Sequence, residues 1–182
     1  MKKRILWITQ TAVMLALLIG LQALTRPAGQ FVTGSCVNLI LALSVLVGGF
    51  WCGLTVALLS NLFAFLLGIG PALLPLVPAV AVGNAVIVIV LYLLCRKPLG
   101  QRTFKGYALS TGGMVVAAFA KFFTLWLVVT QLVLPLLPLL EEEMQVMIAM
   151  FTWPQLFTAL IGGTMALLAA PLIMRALKRE IS

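Results

Sequence analysis

Residues 76 to 97 read LVPAVAVGNAVIVIVLYLLCRK, an apolar stretch that ends in two basic residues. Its first part, Leu76 to Cys95, carries no charge and has the length of about 20 residues that one helical crossing of a bilayer requires. Basic residues that directly follow such a stretch are typical of the cytoplasmic side of a membrane. The stretch therefore predicts a transmembrane helix whose C-terminal end faces the cytoplasm.

The composition extends this interpretation to the whole chain. Of its 182 residues, 63% are hydrophobic and 9% are charged, and the mean hydropathy is +1.21. A water-soluble surface needs far more charge than this. We predict an all-α polytopic membrane protein, a compact bundle of six transmembrane helices that forms a single domain over residues 1–182.

Hydropathy, and the Gly and Pro residues that interrupt it, give approximate boundaries for the six spans. The predicted spans are residues 5–24, 36–47, 54–67, 76–95, 107–134 and 151–174. The second and third spans are short and are separated only by residues 48–53. A tight helical hairpin and one deformed segment are both consistent with this pattern.

The charged residues predict the topology. The chain has 12 Lys and Arg against 4 Asp and Glu, a formal net charge of +8. Three basic clusters precede span one, follow span four and end the chain: Lys2, Lys3, Arg4, Arg96, Lys97, Arg102, Lys105, Arg175, Lys178 and Arg179. Six spans place these clusters on one side and the acidic run Glu141 to Glu143 on the other, so we predict cytoplasmic termini. The positive charge then indicates topology and contact with anionic lipid, and we expect no nucleic-acid partner.

The sequence lacks the motifs of most membrane enzymes. It has no His and no H-E-x-x-H, G-x-S-x-G or P-loop motif. Cys36, Cys52 and Cys95 are scattered through apolar sequence without a metal-ligand spacing, which favours buried thiols over a disulfide or a metal site. We therefore expect no enzyme activity, no cofactor and no metal.

Span one carries Ala12, Ala16 and Gly20 at four-residue spacing, so three small residues share one helical face. Such a face allows close approach of another helix. It is a candidate partner-binding face, and ordinary packing inside the bundle is the alternative.

Lys121 lies about 14 residues, or roughly 21 Å, beyond the start of span five, in the outer half of the membrane. An ionised Lys near mid-membrane costs about 2.5 to 3.5 kcal/mol on insertion scales, so we expect it to face the protein interior, a partner charge or a polar ligand. A ligand there would carry an anionic group. Snorkelling and pairing with Glu141, Glu142 or Glu143 are the alternatives.

Other polar side chains gather toward the same side and predict a pocket that opens outward. The candidate substrate-binding residues are Lys121, Asn84, Gln155, Asn38, Gln30 and Trp153. Each amide is also explained as a helix–helix hydrogen bond, and Trp153 as part of an interfacial aromatic belt. We assign Asn61 to packing. The Gly- and Pro-rich stretch from Gly68 to Asn84 predicts either irregular backbone that dips into the bundle or a tight outer turn. The segment that begins at Glu141 predicts a short outer helix, which either acts as a lid or is simply solvated.

Taken together, these residues resemble the substrate-binding S components of energy-coupling factor (ECF) transporters, which take up vitamins and related micronutrients in prokaryotes. The resemblance covers essentially the whole chain. It is carried by the size, the six-span plan and these motifs: Ala12-x-x-x-Ala16, FVTGSCVNLILAL from Phe31 to Leu43, GIGP from Gly68, VGNAV from Val82 and AKFFTLW from Ala120.

The resemblance implies a membrane subunit that captures a vitamin or related micronutrient at the outer face of a prokaryotic plasma membrane. The alanine face would contact a transmembrane coupling subunit driven by two cytoplasmic ATPases. No motif assigns one substrate. A membrane scaffold without a ligand pocket, and a small channel or secondary carrier, are the alternative functions.

Overall fold

The computed structural model describes residues 2–69, 73–101 and 103–177, without the side chains of Lys2 and Lys3. Several residues of the predicted motifs and basic clusters lie outside the described residues: Gly70, Pro71, Arg102, Lys178 and Arg179.

The described chain folds into helices, which confirms the predicted all-α class. The α-helices are α1 Lys2–Thr25, α2 Gln30–Gly48, α3 Phe50–Leu66, α4 Leu76–Leu94, α5 Arg96–Gly100, α6 Phe104–Leu125, α7 Glu141–Met150 and α8 Trp153–Ala176. A 3-10 turn, Arg26–Ala28, joins α1 to α2, and α6 continues as a π-helix, Trp126–Val133, and a 3-10 turn, Leu134–Leu136.

Five helical stretches are long and apolar enough to cross a membrane. They are Arg4–Ala28, Gln30–Gly48, Leu76–Leu94, Phe104–Leu136 and Glu141–Ala176. The remaining apolar helix, Phe50–Leu66, has 17 residues and is shorter than a full span. The chain is therefore a multi-pass membrane protein with five candidate spans, and the count of six stays a prediction.

Residues 30–66 form two helices rather than one deformed segment. Gly49 separates α2 from α3 with φ +96°, a backbone conformation that favours glycine. The hairpin is tight, because a Cβ built on Gly53 would lie 2.7 Å from Cβ of Val45. Both helices begin earlier than predicted, at Gln30 and Phe50 instead of residues 36 and 54.

Residues 107–134 do not form the single regular helix that we predicted. The α-helical pattern stops at Leu125, and the next eight residues follow a π-helix. The Thr130 hydroxyl donates to the carbonyl oxygen of Trp126, 2.5 Å away. Hydropathy cannot reveal this change, because the residues stay apolar throughout.

α2 lies at the centre of the bundle. Its C-terminal half is buried from Ile40 to Val47. It packs along α8 through Gly162, whose hypothetical Cβ would overlap the Ser35 carbonyl oxygen and lie 2.8 Å from Cβ of Asn38. α2 and α8 can therefore approach this closely only because glycine at position 162 has no side chain.

Gly162→Val is expected to lower the thermal stability of the detergent-solubilised protein by several degrees, because the added side chain must displace backbone of α2. Gly112→Val is the matched control, since a Cβ at Gly112 meets nothing within 4 Å. Equal melting temperatures for the two variants in a fluorescence-detected thermal assay would contradict this packing.

Candidate functional site

The bundle has two chemically distinct ends. The start of α1, the α2–α3 turn and the end of α4 meet at one of them, where Trp7, Gly49 and Arg96 line a common cavity. We call this the basic end; the described basic residues of the predicted clusters are Arg4, Arg96, Lys97, Lys105 and Arg175. The other end holds the end of α1, the start of α2 and the start of α8.

A cavity of about 460 Å³ lies at this second end, and we call it the polar cavity. Its walls come from α1, α2, α3, α4, α6, α7 and α8. The lining residues are Gln22, Arg26, Gly29, Gln30, Thr33, Gly34, Val37, Asn38, Asn61, Ile69, Leu76, Val80, Asn84, Lys121, Met147, Met150, Phe151 and Gln155. Its volume falls within the usual range for small-molecule sites.

Lys121 is the buried cation of this cavity, with only 2% of its surface exposed. Its Nζ donates to Oδ1 of Asn38, 2.7 Å away, and to Oδ1 of Asn84, 2.8 Å away. These bonds join α6 to α2 and α4. Both partners are neutral amides, and no carboxylate among the described residues bonds to Lys121.

Both alternatives for Lys121 are wrong. A snorkelling side chain would reach the surface, but Lys121 is buried. The glutamates at positions 141 to 143 are all exposed on α7, and the Glu143 carboxylate accepts from the Leu140 amide instead.

The two amides that hold Lys121 differ in their remaining bonds. Asn38 Nδ2 donates to the Gly34 carbonyl at 2.9 Å and to Oγ1 of Thr158 at 3.3 Å, which fixes the amide against α8. Asn84 Nδ2 is buried and has no hydrogen-bond partner among the described residues. Burying an amide donor without a partner costs free energy, and a bound acceptor would remove that cost. The Asn84 Nδ2 group is therefore available to a ligand.

The rim of the polar cavity is tied together by polar side chains. Gln22 Nε2 donates to the Ile69 carbonyl at 3.1 Å, and Arg26 Nη1 to the Gly68 carbonyl at 2.7 Å. These bonds hold the chain after α3 close to the end of α1. Gly68 has φ +68°, which again favours glycine.

The structure brings five of the six predicted substrate-binding residues to the polar cavity. Trp153 is the exception: it does not line the cavity, it is 62% exposed, and its ring packs 5.4 Å from Phe122. Gln155 is held by a hydrogen bond of 3.2 Å from its Nε2 to the Met150 carbonyl.

Asn61, which we assigned to packing, is buried and also lines the polar cavity. Gln22, Met147 and Met150 line it too and were not predicted. Gln22 lies near the end of α1, four residues before Arg26 in the following 3-10 turn. This spacing in the sequence could have predicted that the two side chains lie on one side. The methionines on α7 gave no signal, because apolar residues are common to every helix here.

The predicted partner-binding face lies on the outside of the bundle. Ala12, Ala16 and Gly20 are all exposed, and a Cβ on Gly20 would meet nothing within 4 Å. Ordinary packing inside the bundle is therefore the wrong interpretation of this face. α1 is the least buried of the candidate spans, with 11% of its apolar window buried.

The cysteines do not pair with one another. Cys52 and Cys95 are buried in the core, whereas Cys36 is half-buried, and all three are free. The Cys95 thiol donates to the Ser110 carbonyl at 3.2 Å.

The fold and the site therefore define a multi-pass helical membrane protein with a buried lysine in a polar cavity. The family model for the substrate-specific component of ECF transporters matches residues 10–174. The chain therefore belongs to this family, which confirms the resemblance found in the sequence. Members are the substrate-binding subunits of transporters and are not their catalytic subunits. No curated protein and no solved structure matches the chain.

Proposed function

We propose that this protein captures a vitamin or related micronutrient in the polar cavity and passes it inward through an ATP-driven transporter. The observation that carries the proposal is Lys121, a buried cation held by two neutral amides in a cavity of about 460 Å³. Burying a charge in a membrane bundle costs free energy, which favours a binding role over a scaffold.

The proposed orientation places the polar cavity at the outer face of a prokaryotic plasma membrane. It follows from the positive-inside rule, with the basic end in the cytoplasm and α3 as a sixth, short span. The acidic start of α7 then lies outside. Substrate would enter beside α7, which has no buried residue and so few contacts to hold it in place.

The proposed partners are a transmembrane coupling subunit and two cytoplasmic ATPases. Proteins of this family work with a coupling component and ATPases. The chain has no P-loop of its own, so any ATP hydrolysis must come from a partner. The exposed face of Ala12, Ala16 and Gly20 is the proposed contact, because small residues allow a partner helix to approach closely.

Affinity purification of the tagged chain from its native membrane in mild detergent tests both halves of the proposal. Mass spectrometry of the same sample should find two ATPases, a coupling membrane protein and one enriched small molecule. Partners without a small molecule would favour a scaffold. A small molecule whose uptake persists without any ATPase would favour a channel or secondary carrier.

The cavity favours a ligand with an anionic group. Lys121 and Arg26 are the charged side chains that line it, and both are cationic. The free Asn84 Nδ2 donor adds to this preference. A carboxylate or phosphate oxygen can therefore accept from Lys121 and from Asn84 together.

Asn84→Asp tests this preference with almost no change in shape. The new carboxylate lies where the Asn84 amide oxygen now accepts from Lys121, so it neutralises the cation and competes with an anionic ligand. We expect the amount of co-purified small molecule to fall about tenfold, from the loss of roughly 1.4 kcal/mol.

Asn84→Ser is the control, because it removes the amide without adding a charge. Retention of the small molecule by the Asp variant, with loss in the Ser variant, would show that the ligand is not anionic at this position.

A further inference from the structure

The basic end holds a second cavity, of about 540 Å³, that is separate from the polar cavity. It lies between the start of α1, the α2–α3 turn and the last two turns of α4. Arg96 provides its charge. Four aromatic residues also line it: Trp7, Phe50, Trp51 and Tyr92.

Arg96 packs on an aromatic ring and has no anionic partner among the described residues. Its guanidinium carbon lies 5.4 Å from the centre of the Tyr92 ring, a cation–π distance, and Tyr92 packs in turn on Phe50 with 5.1 Å between ring centres. The Arg96 Nε is buried and has no hydrogen-bond acceptor among the described residues. A buried guanidinium donor of this kind is costly unless an acceptor is bound.

The α2–α3 turn lies close to the guanidinium. A Cβ built on Gly49 would lie 3.2 Å from Nη1 of Arg96, so a side chain there would crowd the cation. Gly49 also has φ +96°. Glycine at this position therefore permits both the sharp turn and its close approach to Arg96.

The cavity continues from Arg96 along the membrane-facing side of α4. Ile89 and Leu93 line it one turn apart, and they are 37% and 65% exposed. Trp7 and Trp51 are also partly exposed, as is typical of indoles at the membrane interface. A single cavity thus offers a cation at the level of the lipid headgroups and an apolar wall closer to the middle of the membrane.

We infer that this cavity binds one anionic phospholipid, with the phosphodiester accepting hydrogen bonds from Arg96 and an acyl chain lying against Ile89 and Leu93. A guanidinium is suited to this role because it donates two parallel hydrogen bonds to a phosphate. A soluble phosphate compound would use Arg96 alone and would leave the apolar wall unused. The inference does not depend on what the polar cavity binds.

Native mass spectrometry of the purified protein tests this site. The protein is titrated with phosphatidylglycerol, with phosphatidylcholine of the same acyl chains, and with inorganic phosphate. We expect one phosphatidylglycerol to be retained preferentially, and Arg96→Gln to weaken that binding at least tenfold. Lys97→Gln is the matched control, since Lys97 is the next residue, carries the same charge, is exposed and does not line the cavity.

Three outcomes would overturn the inference: equal retention of the two lipids, unchanged retention in Arg96→Gln, or binding of inorganic phosphate that displaces the lipid. The third would identify a soluble phosphate site instead.

A fluorescence measurement keeps the test valid if Arg96→Gln does not fold. The protein is placed in vesicles in which one fifth of the lipid is phosphatidylglycerol and the rest is phosphatidylcholine. In one sample only the phosphatidylglycerol is brominated, and in the other an equal amount of phosphatidylcholine is brominated instead. Brominated phosphatidylglycerol should quench tryptophan emission more strongly. The excess quenching should disappear in Trp7→Phe with Trp51→Phe. It should persist in Trp126→Phe with Trp153→Phe, whose side chains do not line this cavity. Equal quenching by the two brominated lipids would contradict the site.

Discussion

Lys121→Met is expected to lower the amount of co-purified small molecule about 100-fold. Methionine keeps the length of the side chain but removes the charge and the donor, so an anionic ligand loses a charge-assisted hydrogen bond inside the polar cavity. A loss of roughly 2.7 kcal/mol corresponds to this factor. The measurement is the molar ratio of extracted metabolite to protein after purification from the native membrane.

The same variant separates binding from folding and assembly. Lys121 makes its two hydrogen bonds to α2 and α4, and the exposed face of α1 takes no part in them. Lys121→Met should therefore retain the partner subunits while losing the small molecule. Lys105→Met is the control, because Lys105 is exposed on α6 near the basic end. Loss of the partners with Lys121→Met would indicate a structural role for the lysine, and full retention of the small molecule would refute its role in binding.

The central interaction of the site was predictable because a charged residue in an apolar helix restricts its own environment. Lys121 stands alone in its span, so its side chain must find polar partners. Asn38 and Asn84 were candidates from the positions of their spans. The sequence did not show that these two amides would both turn their oxygens to Lys121, because that pairing depends on helix rotation.

The mispredicted parts of the site are those that depend on the direction in which a side chain points from its helix. Trp153 and Gln155 are two residues apart at the start of α8, yet only Gln155 faces the polar cavity. Residues two apart on a helix point in different directions, and the starting angle is set by the turn before the helix.

The helix boundaries were predicted well where the apolar sequence ends at a charged residue and poorly where polar residues lie inside the helix. α4 was located within one residue at each end, since an uninterrupted apolar stretch ends there at Arg96. The start of α2 was missed by six residues because Thr33 and Ser35 are polar. Their hydroxyls donate to the Thr25 and Phe31 carbonyls, so hydrogen bonds to the backbone compensate for their polarity.

Ala12→Leu combined with Ala16→Leu is expected to abolish recovery of the coupling subunit and the ATPases. Both alanines are exposed, and two leucine side chains would hold a partner helix away from the face that it needs to approach. The bundle itself should stay intact, because neither side chain points into its core. Mass spectrometry of the purified complex measures the loss, and the thermal stability of the variant confirms that it is folded.

A second exposed pair of small residues offers a stringent control. Ala108 and Gly112 have the same four-residue spacing on α6, are exposed, and leave room for larger side chains, since a Cβ on Gly112 meets nothing within 4 Å. Ala108→Leu with Gly112→Leu should keep the partners. Loss of the partners in this control, together with their retention in the α1 variant, would move the interface to α6. Because neither pair touches the polar cavity, the small molecule should be retained in both variants, so assembly and substrate capture are tested separately.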